Sequence, residues 1–150
     1  MIPELDPVTG LLPSGVHSAT WDELTIRFGY NPQRESLLGG LRRALDVLCA
    51  AGCRRMYVDG SFVTAKEAPA DFDACWEIDG VDFSYLARHA PVLLHPFQMR
   101  TALRAAFGGD LFPARVTADA LGRSFFVFFQ QDSRTEQAKG MIALELEGDG

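Results

Sequence analysis

The chain has 150 residues, of which 47% are hydrophobic and 23% are charged, a composition typical of a globular protein with one core. Its net charge of −6 argues against a broad nucleic-acid-binding face, because such faces carry clustered Lys and Arg. No apolar run is long enough to span a bilayer, and no signal-peptide pattern opens the chain. We therefore expect neither a transmembrane segment nor a signal peptide. The three cysteines, Cys49, Cys53 and Cys75, lack a framework spacing and predict reduced thiols in a cytoplasmic setting.

The N-terminal third is predicted to be an extended lead-in followed by two helices. Prolines recur through residues 1–16, which we expect to run extended along a single domain. Thr20 lies three residues before Glu23, the capping-box spacing that predicts the start of a short helix. A longer helix is predicted from Pro32 to Gly52, because an Asn-Pro pair opens it and leucines then recur at three- and four-residue spacing.

The central stretch is predicted to form two strands on either side of a Gly-Ser turn. Arg54–Asp59 is the first strand, and Gly60-Ser61 is the turn, followed by one or two helical turns. The second strand begins at Asp71 and ends at Trp76. Because alternate side chains of a strand share a face, Asp71 and Asp73 point the same way, and we expect both to face the turn.

The C-terminal part is predicted to contain two helices and a hairpin. Asp82 caps the first helix, and the apolar spacing of Phe97–Phe107 predicts the second. Phe125–Phe129 is apolar on both faces and predicts a buried strand. Met141–Leu146 predicts a last strand that pairs with it as a hairpin, and residues 147–150 are expected to fray.

The Gly-Ser turn and the two aspartates have complementary chemistry. Gly60 lets the backbone approach a ligand closely, and the following N–H groups with the Ser61 hydroxyl would attract a phosphate. Lys66 would neutralise further phosphate charge. The carboxylates of Asp71 and Asp73 suit Mg²⁺, which commonly bridges protein carboxylates to substrate phosphates. The sequence therefore predicts a nucleotide-binding turn beside two catalytic, metal-holding aspartates.

An apolar strand, Gly-Ser, nine intervening residues and Asp-x-Asp together resemble the signature of the DNA polymerase beta-type nucleotidyltransferase superfamily. This match covers Met56–Trp76; the stretches Gly108–Ala114 and Lys139–Gly140 also look like a small uncharacterised prokaryotic branch of that superfamily. The resemblance implies an α/β fold of the α+β kind: a minimal nucleotidyltransferase core over residues 1–150, with a short mixed sheet flanked by helices. It also implies that Gly60 and Ser61 hold a nucleoside triphosphate, and that Asp71 and Asp73 hold Mg²⁺ or Mn²⁺.

The superfamily normally has a third carboxylate on a later central strand, which helps to bind one metal and orients the attacking hydroxyl. The strand predicted over Phe125–Phe129 contains no acid, and Val127 occupies its middle. Asp110, Asp132 and Glu145 are the substitutes that the later sequence offers.

Three hypotheses for the function follow. The first is a metal-dependent nucleotidyltransferase that transfers a nucleoside monophosphate to an RNA, a protein or a small molecule. Because small members of the superfamily include toxin-like enzymes, that resemblance adds an antitoxin protein as a partner. The second is a nucleotide-binding or regulatory module that has lost turnover, and the third is an interaction protein whose Asp-x-Asp is only a solvated surface.

Overall fold

The computed structural model of the chain describes residues 1–131 and 137–146. Its strands are β1 (Gly15–Ala19), β2 (Arg55–Asp59), β3 (Phe72–Trp76), β4 (Gly109–Pro113) and β5 (Gly140–Glu145). Its helices are α1 (Trp21–Phe28), α2 (Pro32–Ala50), α3 (Phe83–His89), α4 (Arg100–Phe107) and α5 (Phe125–Phe128), with two short 3₁₀ helices, Ser61–Val63 and Pro91–Leu94. Within these ranges, no helix combines the length and apolarity that crossing a bilayer requires.

The predicted starts of the first two helices are confirmed. The Thr20 hydroxyl accepts a bond from the Glu23 N–H at 3.1 Å, and a Glu23 carboxylate oxygen accepts from the Thr20 N–H at 3.0 Å, which completes the capping box. At α2, the Asn31 side chain accepts from the Arg34 N–H at 2.9 Å. Gly52 lies just beyond the C-terminal end of α2 with φ +96°, a conformation that favours glycine.

The five strands form one mixed sheet in the order β1-β5-β2-β3-β4. β1 runs parallel to β5 and β3 runs parallel to β4, whereas the pairs β5–β2 and β2–β3 are antiparallel. This arrangement is the α+β fold with a short mixed sheet that the sequence predicts. It also makes β2 and β3, the strands on either side of the Gly-Ser turn, direct neighbours.

The two faces of the sheet carry two separate apolar clusters. Helices α1 to α4 cover one face, where α1 and α2 contribute buried side chains such as Phe28 and Leu41 and the sheet contributes Val58 and Trp76. The other face is covered by the single turn of α5, which packs on Tyr57, Cys75, Phe112, Met141 and Ala143. Burial of these apolar side chains is the main source of stability for both layers.

The strand predicted over Phe125–Phe129 is wrong, because Phe125–Phe128 forms helix α5. The Ser124 hydroxyl caps this helix by accepting a bond from the Val127 N–H. A short apolar run has no periodicity that separates a strand from a buried helix turn. Here the phenylalanines pack on one side only: Phe125 stacks on Phe112 with ring centroids 4.0 Å apart, whereas Val127 is 45% exposed.

The predicted hairpin is wrong as well, because β5 lies between β1 and β2. Strand β1 was not predicted, and it begins at Gly15, within the stretch expected to be an extended lead-in over residues 1–16. Strand β4 was not predicted either, because its glycine-rich start is typical of a helix end; Gly108 takes that role with φ +88°, and Gly109 then opens the strand. Residues 147–150, which were expected to fray, lie outside the described residues.

Helix α4 lies close to α2 because of a glycine at their crossing. A Cβ atom on Gly40 would lie 1.7 Å from the carbonyl oxygen of Phe107, so only glycine permits this approach. The contact fixes α4 beside β4, the strand that follows it directly in the chain. Arginines on α4 thereby come within reach of the sheet edge.

Candidate functional site

Three aspartates form a row across adjacent strands of the sheet. Asp59 on β2 is paired in register with Asp73 on β3, and Asp73 is paired in register with Asp110 on β4. Residues paired directly across strands project from the same face. The row, Asp59–Asp73–Asp110, therefore lies on the face covered by α5, at the end of β2 where the Gly-Ser turn begins.

Gly60 brings the turn against the middle member of this row. It has φ +81°, and a Cβ atom there would lie 2.7 Å from a carboxylate oxygen of Asp73. Glycine is required for two reasons. L-residues rarely adopt a φ of +81°, and the space that a Cβ would need is already occupied by the Asp73 carboxylate. The 3₁₀ helix Ser61–Val63 starts directly after it.

A cavity of about 550 Å³ opens at this turn. Its lining includes Gly60, Ser61, Lys66, Asp73 and Lys139. The structure thus brings together the three residues predicted to bind a nucleotide and one of the two predicted metal-holding aspartates. Lys139, a second lysine whose charge could neutralise phosphates, also lines this cavity.

Asp71, the other predicted metal-holding residue, lies just before β3 and is not among the residues that line the cavity. Its carboxylate is 3.8 Å from the Arg104 guanidinium, and its side chain is 38% exposed. Asp71 is close enough to Asp73 for its charge to raise the pKa of Asp73. The two aspartates therefore belong to one electrostatic cluster, with Asp73 toward the turn and Asp71 toward α4.

Asp110 is held by two arginines one helical turn apart. Arg100 donates to its two oxygens at 3.1 and 2.8 Å, and Arg104 donates to the same two oxygens at 3.0 and 2.8 Å. Burial acts to raise the pKa of this carboxyl, but the hydrogen bonds from both arginines bring that pKa below its ordinary value. Asp110 is therefore ionised at neutral pH, and the two arginines of α4 neutralise its charge.

Asp59 and Asp73 have a different environment. Burial raises the pKa of Asp59 to about 7, although the ammonium of Lys139, 3.2 Å away, acts against that rise. Burial, together with the neighbouring carboxylates of Asp110 and Asp71, raises the pKa of Asp73 to about 6. In the described part of the chain, the Asp73 carboxylate makes no hydrogen bond or ion pair of its own. A cation at Asp73 would relieve this unfavourable charge.

The loop after the turn is held by the N-terminal turn of α2. Arg34 is completely buried, and its guanidinium donates to the carbonyl oxygens of Phe28 at 3.1 Å, Phe62 at 2.6 Å and Thr64 at 2.8 Å, and to that of Lys66. It satisfies carbonyl groups that would otherwise be buried without donors. Arg34 therefore sets the path of the cavity wall.

Sequence reasoning missed Arg34. A signal for it was present: Arg34 lies three and four residues before Leu37 and Leu38, on the apolar stripe of α2. A charged residue on such a stripe must find polar partners inside the protein. The neighbouring side chains Asn31 and Gln33 also reach the loop, donating to the carbonyl oxygens of Glu67 and Pro69 at 2.7 and 2.8 Å.

The other substitutes for a third carboxylate are not near the turn. Glu145 is paired with Arg55 at the opposite end of β2 from Asp59. Asp132 lies outside the described residues. A larger cavity of about 810 Å³, between α1, α2 and the end of β5, is lined by Glu145 but by none of the predicted nucleotide-binding or metal-holding residues. The candidate site is therefore the aspartate row together with the Gly60-Ser61 turn.

The fit of this row to a divalent cation is partial. The carboxylates of Asp71 and Asp73 are the hard oxygen donors that Mg²⁺ and Mn²⁺ prefer, and the raised pKa of Asp73 reflects charge that a cation would stabilise. Over residues 1–131 and 137–146, no three His, Cys, Asp or Glu side chains are arranged to hold a metal together. Asp110, the third acid at this position, is held by Arg100 and Arg104 instead.

Comparison with known proteins identifies a family but no activity. No curated protein matches the chain, and no solved structure matches it. A family model described as a family of unknown function, DUF6932, matches residues 3–145, nearly the full length. The chain therefore belongs to the DUF6932 family.

Proposed function

We propose that this protein is a metal-dependent nucleotidyltransferase, which transfers a nucleoside monophosphate from a nucleoside triphosphate to an acceptor. The observation that carries the proposal is the cavity at Gly60-Ser61, which is lined by Asp73, an acid with no hydrogen bond or ion pair of its carboxylate among the described residues. An anion-binding turn and a carboxylate suited to a cation are needed side by side for phosphoryl chemistry. Asp110, one of the substitutes that the sequence offered for the third acid, lies in register beside Asp73.

Each residue has a defined role in this proposal. Gly60 and Ser61 bind the outer phosphates through backbone N–H groups and a hydroxyl, and Lys66 and Lys139 line the same cavity as cations. Asp71 and Asp73 would hold Mg²⁺ or Mn²⁺, whose chemistry when bound is to neutralise charge on the reacting phosphates. In the transfer, the acceptor oxygen bonds to the α-phosphorus, pyrophosphate leaves with the electrons of the broken P–O bond, and the acceptor proton passes to water.

The acceptor is an RNA, a protein side chain or a small molecule. A toxin-like role with an antitoxin protein as partner rests on the superfamily resemblance alone, and a cytoplasmic location rests on the pattern of the cysteines.

The test follows the fate of labelled ATP and GTP in a cell extract with Mn²⁺ and the purified protein. Label at the α-phosphate should enter a macromolecule or a new small product, and label at the γ-phosphate should not. The double variant Asp71→Asn/Asp73→Asn should abolish the transfer, whereas Asp46→Asn, which removes an exposed carboxylate on α2, should leave it intact. Equal labelling by wild type and double variant would overturn the proposal.

The second candidate is a nucleotide-binding module without turnover. The specific observation in its favour is that both oxygens of Asp110 are already bound by Arg100 and Arg104. Calorimetry separates the two candidates: this one predicts ATP or GTP binding that needs Mg²⁺ or Mn²⁺ and Asp73, with no labelled product for any acceptor offered. Absence of nucleotide binding would reject both.

A further inference from the structure

Arg100 and Arg104 fill the acceptor positions of Asp110. An ionised carboxylate offers about four lone-pair directions, and each Asp110 oxygen accepts one bond from each arginine, four in all. The carboxylate therefore has no direction left for another ligand. Any cation shared between Asp73 and Asp110 requires at least one arginine to leave.

The acid and the arginines of this cluster differ in exposure. The side chain of Asp110 is only 4% exposed on a strand, whereas those of Arg100 and Arg104 are 55% and 44% exposed on the surface of α4. In the described part of the chain, Arg100 bonds only to Asp110, and Arg104 adds only the 3.8 Å contact with Asp71. The arginines can swing away at little packing cost, and Asp110 would remain in place.

The chemistry of the guanidinium group indicates what the released arginines would bind. Asp110 is paired in register with Asp73, which lines the Gly60-Ser61 cavity. Guanidinium groups released from Asp110 would therefore start one strand away from the phosphates of a triphosphate bound there. Guanidinium binds phosphate oxygens in the same two-pronged geometry in which it binds a carboxylate. Guanidinium–carboxylate contacts would thereby be replaced by guanidinium–phosphate contacts, which are also charge-assisted hydrogen bonds.

We propose that Arg100 and Arg104 are exchangeable cations. In the free protein they neutralise Asp110, and when a divalent cation occupies the position between Asp73 and Asp110 they release that carboxylate and bind the triphosphate. This inference rests on the proposed function and adds a regulatory step to it. The two ligands should bind cooperatively. The metal frees the arginines to bind the triphosphate, and the triphosphate draws the arginines away from Asp110, which the metal needs.

The test measures equilibrium binding to the full chain with two probes, Mn²⁺ alone and inorganic tripolyphosphate at saturating Mn²⁺. Replacing the arginines in Arg100→Gln/Arg104→Gln removes the competitors for Asp110, so Mn²⁺ affinity should rise at least severalfold. The same change removes the phosphate ligands, so tripolyphosphate affinity should fall at least severalfold. Opposite changes for the two probes are the signature of the exchange.

The matched control is Arg88→Gln, which removes one exposed arginine from α3 and should change neither affinity. Arg104→Lys keeps the charge but cannot bind both Asp110 oxygens in the planar geometry of arginine, so its Mn²⁺ affinity should lie between wild type and Arg104→Gln. If Arg100→Gln/Arg104→Gln does not fold, the Mn²⁺ affinity of Arg104→Lys tests the same prediction. Unchanged or weaker Mn²⁺ binding in folded arginine variants would overturn the proposal.

Failure of the inference is distinguishable from failure of the proposed function. If Asp71→Asn/Asp73→Asn abolishes Mn²⁺ binding while the arginine variants bind like wild type, only the exchange is wrong. If neither wild type nor any arginine variant binds Mn²⁺, both are wrong.

Discussion

Asp73 and Asp110 are paired in register on β3 and β4, yet in the part of the chain that the structure describes the ion pairs of Arg100 and Arg104 are with Asp110 and not with Asp73. Burial and the carboxylates of Asp110 and Asp71 consequently raise the pKa of Asp73, whereas the arginine hydrogen bonds outweigh burial and lower the pKa of Asp110. The surroundings thus disfavour the ionised form of Asp73 and favour the ionised form of Asp110. Of these two acids, Asp73 is the one at which an added cation stabilises more.

Replacing Gly60 by alanine should damage both stability and binding. A φ of +81° with a ψ of −171° costs an L-residue about 1–3 kcal/mol, and the new Cβ would in addition lie 2.7 Å from the Asp73 carboxylate. We expect urea unfolding to show a loss above that range and calorimetry to show weaker Mn²⁺ and ATP binding. Gly122→Ala is the matched control, because Gly122 has φ +78° with nothing near a Cβ. Equal losses in the two variants would contradict the close approach of Gly60 to Asp73.

Removing the Arg34 guanidinium should loosen the cavity wall. Arg34→Met leaves buried carbonyls of Phe62 and Thr64 without donors, at a cost of about 2–4 kcal/mol in the free energy of unfolding. Arg34→Lys should recover part of that loss. Arg42→Met removes an exposed i,i+4 pair with Asp46 and should cost less than about 1 kcal/mol.

Hydrogen exchange separates a positioning role of Arg34 from general destabilisation. We expect the amides of residues 61–66 to lose protection in Arg34→Met before the strands do. Uniform loss of protection over the whole sheet would instead assign Arg34 to global stability alone.

The raised pKa of Asp59 predicts the pH dependence of stability. Between about pH 4, where the unfolded chain releases this proton, and about pH 7, the pKa in the folded protein, the folded state binds more protons. The free energy of unfolding should therefore fall with rising pH in that window, by at most about 1.4 kcal/mol per pH unit from this group. Urea titrations of Asp59→Asn should show that this contribution has disappeared.

Lys139→Met provides the complementary change for Asp59. It removes the cation that acts to lower the pKa of Asp59, so the fall in stability should extend to higher pH. If wild type instead gained stability over Asp59→Asn as pH rose through the window, the ion pair with Lys139 would dominate burial.

The position of the third carboxylate can be tested by exchanging acids. Val127 is half exposed on α5, not in the middle of a central strand, so Val127→Asp should leave Mn²⁺ affinity unchanged. Asp110→Asn should weaken Mn²⁺ binding severalfold, because it removes a ligand and frees two guanidiniums beside Asp71 and Asp73. Stronger Mn²⁺ binding in Val127→Asp would restore Phe125–Phe129 as the location of the missing acid.

The sequence by itself determined the features that depend on neighbours along the chain. Capping residues predicted the starts of α1 and α2, and the Gly60-Ser61 turn between two apolar runs predicted β2 and β3. Asp73 was assigned to the turn because strand alternation and turn geometry act over a few residues.

Tertiary structure alone decided which distant residues completed the site. Asp110 lies beside Asp73 because β4 pairs with β3, and no local pattern specifies that pairing. Whether Phe125–Phe128 formed a helix or a strand depended on the apolar face of the sheet that it covers, since its own sequence fits either. The Gly60-Ser61 turn with Asp71 and Asp73 could be predicted from local spacing. The positions of Asp110, its two arginines and Arg34 beside that turn required the fold.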